Sequence, residues 1–296
     1  MIVAPLECLP CLCRMAVDQA EISKCPVAAR RAAVESSLYM LAMVEPETPT
    51  GVLATEIYRS VAERTGDADP CRCLKARLKE AAWNVMSLLR ARVDESLDPL
   101  AAALQVSIAG SALGQARSLR GIAKSVRHAW KLATTDGTFG EELEELRRTA
   151  ASAKSVLFIA DNAGEIIWDT LLIERLAPAA ITVLVRREPF WQDALIADAI
   201  DAGLGSRCAL AEHTRYSMVH TPCMADRVLE DWIRGFDLVV AKGPENLTYL
   251  EGLGRDERHF SLLVPQCARL ANPLGISPGE PAFFQLSRIV LEPAVR

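Results

Sequence analysis

From Ser155 onward the chain alternates short apolar runs with amphipathic segments, and few folds accept that alternation. The runs are Ser155–Ala160, Ile181–Val185, Arg207–Ala211, Phe236–Ala241 and Phe260–Val264. Between them, Glu165–Leu176, Asp193–Ala202 and Met224–Ile233 carry apolar residues at helical spacing. A strand with a continuous rather than alternating apolar run is buried on both faces. Strands of that kind separated by helices predict an α/β fold with a mainly parallel sheet. Right-handed crossovers place every strand's carboxyl end on one edge. Open α/β sheets bind their ligands in the crevice beyond that edge.

The first half keeps a different period. Leu74, Leu78, Ala81, Val85 and Leu88 recur at intervals of three and four, the spacing of one helix face. Val27–Val44, Thr50–Thr65, Pro99–Ser118 and Lys124–Ala133 read likewise, with prolines 46, 49, 70 and 99 at their boundaries. The chain is therefore expected to divide into an all-helical N-terminal domain, residues 1–145, and an α/β domain, residues 146–296. A charged, glycine-containing connector at Thr134–Glu145 leads from one to the other.

Charge and hydropathy narrow the partners. Lysine plus arginine number 33 against 38 aspartates plus glutamates, a formal charge of −5. This argues against nucleic acid, whose phosphates call for a basic surface. The longest uncharged stretch, Leu100–Ala116, is broken by Gln105, Ser107, Gly110, Ser111, Gly114 and Gln115. It falls short of the roughly 20 apolar residues that cross a bilayer, so no membrane partner is expected. No basic region precedes an apolar run at the N-terminus, so the expected location is cytoplasmic. There the nine cysteines would be thiols or metal ligands rather than disulfides. The sequence leaves a homo-oligomer open.

The predicted strand ends are unusually polar. The first runs into Asp161-Asn162-Ala163-Gly164-Glu165, the second into Arg186-Arg187-Glu188-Pro189 with Gln192-Asp193 beyond, and the fourth into Lys242-Gly243-Pro244-Glu245-Asn246. Each has a structural reading too. Asn162 with Glu165 makes a passable capping box, Asp193 could cap the helix after it, and Lys242 could be a solvated turn lysine. Their convergence on one sheet edge is what favours a site.

These strings, with Asp169, the Lys-Gly-x-x-Asn loop, Gln266-Cys267, Cys8-x-x-Cys11, Asp69-Pro70, Lys75 and Asn84, resemble the damage-control metal-phosphatase family over nearly the whole chain. The resemblance implies a helical N-terminal domain packed on a Rossmann-like C-terminal one. It also implies a single divalent metal on Asp161, Asn162 and Asp193, with Asp161 as nucleophile or base. Lys242 and Asn246 would lie near the phosphate, Lys242 in a catalytic role, and Gly164, Glu165 and Asn84 would join them in binding substrate. Oxygen ligands of this kind suit Mg or Mn, with Co or Ni also accepted. The implied activity is hydrolysis of a small phosphorylated metabolite, a sugar phosphate or a damaged phospho-metabolite. The sequence departs from the family pattern at Ser111 and Gly114 (Asn and Asp elsewhere), Gln192 (Asn), Pro244-Glu245 (Gln-Gly) and Gln266 (Lys).

Rival chemistries find less support. The chain has no G-x-x-x-x-G-K-[ST] loop and no G-x-G-x-x-G after the first predicted strand. Ala163 stands where an Asp-x-Asp hydrolase needs its second carboxylate. His128, His213, His220 and His259 are scattered. Cys8, Cys11, Cys71 and Cys73 could hold a second, structural metal, or be ordinary thiols. Cys25, Cys208, Cys223 and Cys267 read as packing residues. The alternative function is a catalytically weak or inactive family member that binds metal or a partner.

Overall fold

A computed structural model describes residues 6–45, 48, 50–135, 137, 139–213 and 224–288. Seven helices come first: α1 (Leu9–Ile22), α2 (Val27–Ala42), α3 (Thr50–Thr65), α4 (Arg72–Asp94), α5 (Pro99–Gly110), α6 (Ile122–Thr134) and α7 (Gly140–Ser152). Strands and helices then alternate as β1 (Ser155–Ile159), α8 (Glu165–Arg175), β2 (Ala180–Arg186), α9 (Ile196–Asp201), β3 (Ala209–His213) and α10 (Met224–Arg234). The chain continues through β4 (Leu238–Lys242), α11 (Pro244–Gly252), β5 (His259–Leu263), α12 (Ala268–Ala271) and β6 (Ala282–Gln285). His220 and Cys223 lie outside the described residues. Among those described, no helix is long and apolar enough to cross a membrane.

The sheet order is β3-β2-β1-β4-β5-β6, parallel except for the antiparallel edge strand β6. The order turns back between β1 and β4, the switch point where doubly wound sheets bind ligands. Strand residues alternate between two apolar layers. Val156 and Phe158 pack in one layer with α5 and α8, while Leu157 and Ile159 face the other with α11. The first layer is continuous across residue 145, since Ala82, Met86, Leu104, Ile108 and Leu146 share it with Trp168 and Val240. A third cluster joins α1, α2 and α3 and takes in Phe190 from the β2–α9 connection.

Local departures from the expected elements have physical causes. The expected helix Pro99–Ser118 ends at Gly110, and a 3-10 turn at Leu113–Gln115 follows; Gly110 also leaves room for α8, since a Cβ there would lie 3.2 Å from Glu165 Cγ. The helix expected from Asp193 begins at Ile196, and Asp198, not Asp193, reaches back to the Leu195 N–H at 3.0 Å. Helix α7 occupies the C-terminal part of the expected connector. Its first turn carries Glu141 and Glu142, which favour a helix N-terminus, and it buries Leu143 and Leu146. Strand β6 escapes the pattern because it has four residues and sits among prolines and a glycine.

His259 opens β5 fully buried, and neither ring nitrogen has a hydrogen-bond partner. Burial holds its pKa below the ordinary value, with Arg258 and Arg234 adding to the effect and Asp256 opposing it. Below about pH 6.5 the unfolded chain therefore takes up a proton that the native state refuses, and stability falls as pH drops. His259→Leu is expected to flatten the pH dependence of urea-unfolding stability between about pH 6.5 and 5, a slope of at most about 1.4 kcal/mol per pH unit. An unchanged slope would count against this account.

Candidate metal and phosphate site

The two turns that carry the expected ligands are joined by backbone. Ala163 N–H donates to Gln192 O at 2.8 Å and Ala194 N–H to Asp161 O at 2.7 Å, flanking an antiparallel bridge between Asn162 and Asp193. Opposed residues in such a bridge project their side chains to the same side, with Cα atoms about 4.5–5.5 Å apart. Asn162 Nδ2 donates to Asp161 Oδ2 at 2.9 Å and to Glu165 Oε2 at 3.1 Å. With both amide hydrogens used, Oδ1 is the group that remains for a cation. Two carboxylates and an amide oxygen are thus drawn together from the carboxyl ends of neighbouring strands. Trp191, at φ +46°, holds the tight approach to Asp193 in a conformation that bulky residues rarely adopt, and its side chain packs on the α1–α3 cluster.

Glycines make the approach feasible. Gly243 follows β4 at φ +83°, and a Cβ there would collide with the Asp161 carboxylate. A Cβ on Gly114 would lie 2.7 Å from Asn162 Nδ2. Gly243→Ala should therefore displace Asp161, destabilising the fold by about 1–3 kcal/mol and lowering any activity that uses this carboxylate. Urea unfolding beside turnover checks this, and wild-type values in both would refute it.

The site is rich in carboxylates. Lys242, fully buried, donates to Ser107 O at 2.6 Å and Asp169 Oδ1 at 2.8 Å, and pairs with Glu165. Ser107 Oγ donates to Asp169 Oδ1 at 2.6 Å and Ser111 Oγ to Glu165 Oε1 at 2.6 Å. Arg186 pairs with Asp193, reaches Glu245 Oε2 at 2.9 Å, and lies 4.4 Å over the Phe190 ring. Burial, then Glu165, Asp193 and Glu245, push the Asp161 pKa well up. Burial raises Asp193 against the pull of Arg186. It takes Asp169 to about 7 against Lys242, and Glu245 to about 6 against Arg186. Among the described residues, Asp161, Glu165, Asp169, Asp193 and Glu245 outnumber the cations acting on them, Lys242 and Arg186 with Lys75 toward Asp193, a negative surplus that a divalent cation would offset. The donor chemistry therefore fits a hard metal ion.

Other expected residues take different positions. Lys242 directs its ammonium hydrogens at Ser107, Asp169 and Glu165, so in this arrangement it holds the acidic cluster rather than presenting a free cation to phosphate. Asn246 Nδ2 donates to Ala160 O at 3.1 Å and Lys242 O at 2.8 Å, tying the end of β1 to that of β4. Gly164 lets α8 approach α4, where its Cβ would stand 3.1 Å from Leu78 Cβ. Asn162 and Glu165 do not form a capping box, because both side chains turn into the cluster. Asn84 is exposed on α4, on the face opposite Lys75, so it is not brought to the cluster. The cysteines are not gathered either. Cys71 packs in the α1–α3 core, away from Cys8, which lies near the exposed Cys11 and near Cys267. Among the described residues, no three Cys, His, Asp or Glu side chains are grouped to hold a metal. Ser107 carried no signal in the sequence, and the only hint of Arg186 was its place at a strand's carboxyl end.

The family model for the damage-control phosphatase ARMT1-like domain matches residues 4–281. The chain belongs to this family. Among its relatives, a damage-control phosphatase of Archaeoglobus fulgidus is 30% identical over 275 residues, covering 89% of each chain. A damage-control phosphatase of Pyrococcus horikoshii is 24% identical over 280 residues, covering 92% of this chain and 94% of that one. The crystal structure of a DUF89 family protein from Pyrococcus horikoshii matches with a TM-score of 0.82 and 22% identity, over 97% of this chain and 100% of that one. At that identity it speaks to the fold, which it shares with this damage-control family member throughout.

Proposed function

We propose that the chain is a metal-dependent phosphatase acting on a small phosphorylated metabolite, a sugar phosphate or a damaged phospho-metabolite. Its family and the names of its relatives support a phosphatase. The observation that carries the metal requirement is the pairing of the Asn162 and Asp193 turns, which sets Asp161, Asn162 and Asp193 side by side in a cluster short of positive charge.

In this reading Asp161, Asn162 and Asp193 hold one Mg, Mn, Co or Ni ion, which when bound supplies Lewis acidity toward a phosphoryl oxygen. The chain's own groups do the rest. Asp161 serves as nucleophile or as base for the attacking water, through the oxygen not engaged by Asn162. At the switch point Ile166 N–H is already taken by Asn162 O and Pro244 has no N–H, so the helix-start donors that suit an anion are those of Glu165 and Ile167 on α8 and of Glu245 and Asn246 on α11. Lys242 fixes Glu165 and Asp169, and so positions the amide of Asn162. Arg186 orients Asp193.

Phosphate release from sugar phosphates and an aryl phosphate, by chelator-stripped protein resupplied with each metal, tests the proposal. Turnover that depends on metal is expected. Inactivity on every ester with every metal would refute it and favour a family member that only binds metal or a partner.

A further inference from the structure

The helical layer opposite the sheet edge carries polar atoms that the protein does not satisfy. Tyr58, on α3, is 2% exposed, yet its hydroxyl has no hydrogen-bond partner. Asp69, between α3 and α4, gives Oδ2 to Lys75 Nζ at 2.9 Å, while Oδ1 is buried and unpartnered. Native proteins rarely leave such atoms unpaired.

These groups share a wall with the metal-side residues. The Tyr58 ring meets Phe190 at a centroid distance of 5.3 Å, and Arg186 lies over the same Phe190 ring. Phe190 O in turn accepts the Asp193 N–H at 3.0 Å, and Arg186 pairs with the Asp193 carboxylate. Their fields overlap as well. After burial, Cys71, Asp69 and Asp193 all raise the Tyr58 pKa, and Lys75 helps to lower that of Asp193.

We propose that Tyr58 Oη and Asp69 Oδ1, with Lys75 Nζ beside them, form a subsite for hydroxyl groups on the non-phosphate part of the substrate. A hydroxyl can donate to Asp69 Oδ1 and accept from Tyr58 Oη or Lys75 Nζ, satisfying every atom in the set. An ester without hydroxyls leaves the carboxylate oxygen unpaired, which is how a polar site discriminates strongly. Asp69 keeps 18% of its side chain exposed, so solvent reaches the edge of the carboxylate though not Oδ1 or the Tyr58 hydroxyl. The inference rests on the phosphatase reading and adds the residues that select the alcohol.

The test compares kcat/KM for glucose 6-phosphate and for p-nitrophenyl phosphate in the metal-loaded wild type, Tyr58→Phe and Asp69→Asn. The sugar-to-aryl ratio is expected to fall about tenfold or more in each variant. Tyr58→Phe should melt at or above the wild-type temperature, because its hydroxyl has no protein partner to lose. A ratio within about twofold of wild type, or a Tyr58→Phe variant that melts several degrees lower, overturns the subsite. Calorimetric binding of glucose 6-phosphate with Mn separates the two readings. A wild type that binds without hydrolysing refutes the phosphatase alone, whereas equal Kd values in wild type and Tyr58→Phe refute the subsite.

Discussion

Asp161→Ala and Asp193→Ala are each expected to lower metal-dependent kcat/KM by about 10³-fold or more, a loss of about 4 kcal/mol of transition-state stabilisation. Each removes one of the two carboxylates proposed to hold the ion, which the bridge between Asn162 and Asp193 brings to neighbouring turns. The loss should not come from unfolding. The Asp161 pKa is raised by burial and by neighbouring carboxylates, so its ionised form costs the native state at neutral pH. Metal-free Asp161→Ala is therefore expected to melt at or above the metal-free wild type while losing turnover. A variant that keeps more than a tenth of wild-type activity would remove Asp161 from the chemistry. One that melts far lower would make its role structural.

Lys242→Met should be the most destabilising single change in the site. It leaves Glu165 and Asp169, both fully buried, without their shared cation, and breaking a buried pair on one side costs about 3–5 kcal/mol. The penalty depends on pH. Asp169 already sits at about 7 with Lys242 present. Without the lysine the Asp169 carboxyl takes up its proton more readily, so the loss should shrink as pH falls from 8 to 5. Adding Glu165→Gln and Asp169→Asn to Lys242→Met should restore much of the stability, since uncharged side chains need no counter-ion. Urea unfolding of the single and triple variants at both pH values checks this. A single-variant cost below about 1 kcal/mol would mean that the cluster is well hydrated and that Lys242 does not organise it.

The centre of the sheet was legible because β1, β2 and β4 are runs made mostly of apolar residues, and their polar ends pointed to the edge where the site lies. Asp161 and Asn162 stood out for the same reason, as polar residues where an apolar strand stops, whereas Asp193, well beyond the second strand, was singled out by the family resemblance. What stayed hidden depends on distance across the fold. Ser107 and Lys242 are 135 positions apart, and a serine in an apolar helix gives no sign of its partner. The glycines at 114 and 243 matter for the side chains that approach them, which no local pattern records. Gly110 at the end of α5 likewise matters for Glu165, on another helix, which stands where a side chain would be. Asn84, by contrast, could have been placed by period alone. It stands nine residues from Lys75, two and a half turns at 3.6 residues per turn, and so on the opposite face. The resemblance supplied that residue, and helical geometry turned it outward. The cysteines show the reverse lesson, since spacing suggested a shared ion and packing sent Cys71 into an apolar core.

Calorimetric titration of the chelator-stripped protein with Mn, in wild type and in the two aspartate variants, tests the central claim most directly. The arrangement of Asp161, Asn162 and Asp193 predicts one ion per wild-type chain and loss of that site in both variants. No binding by the wild type, or undiminished binding by both variants, would contradict it.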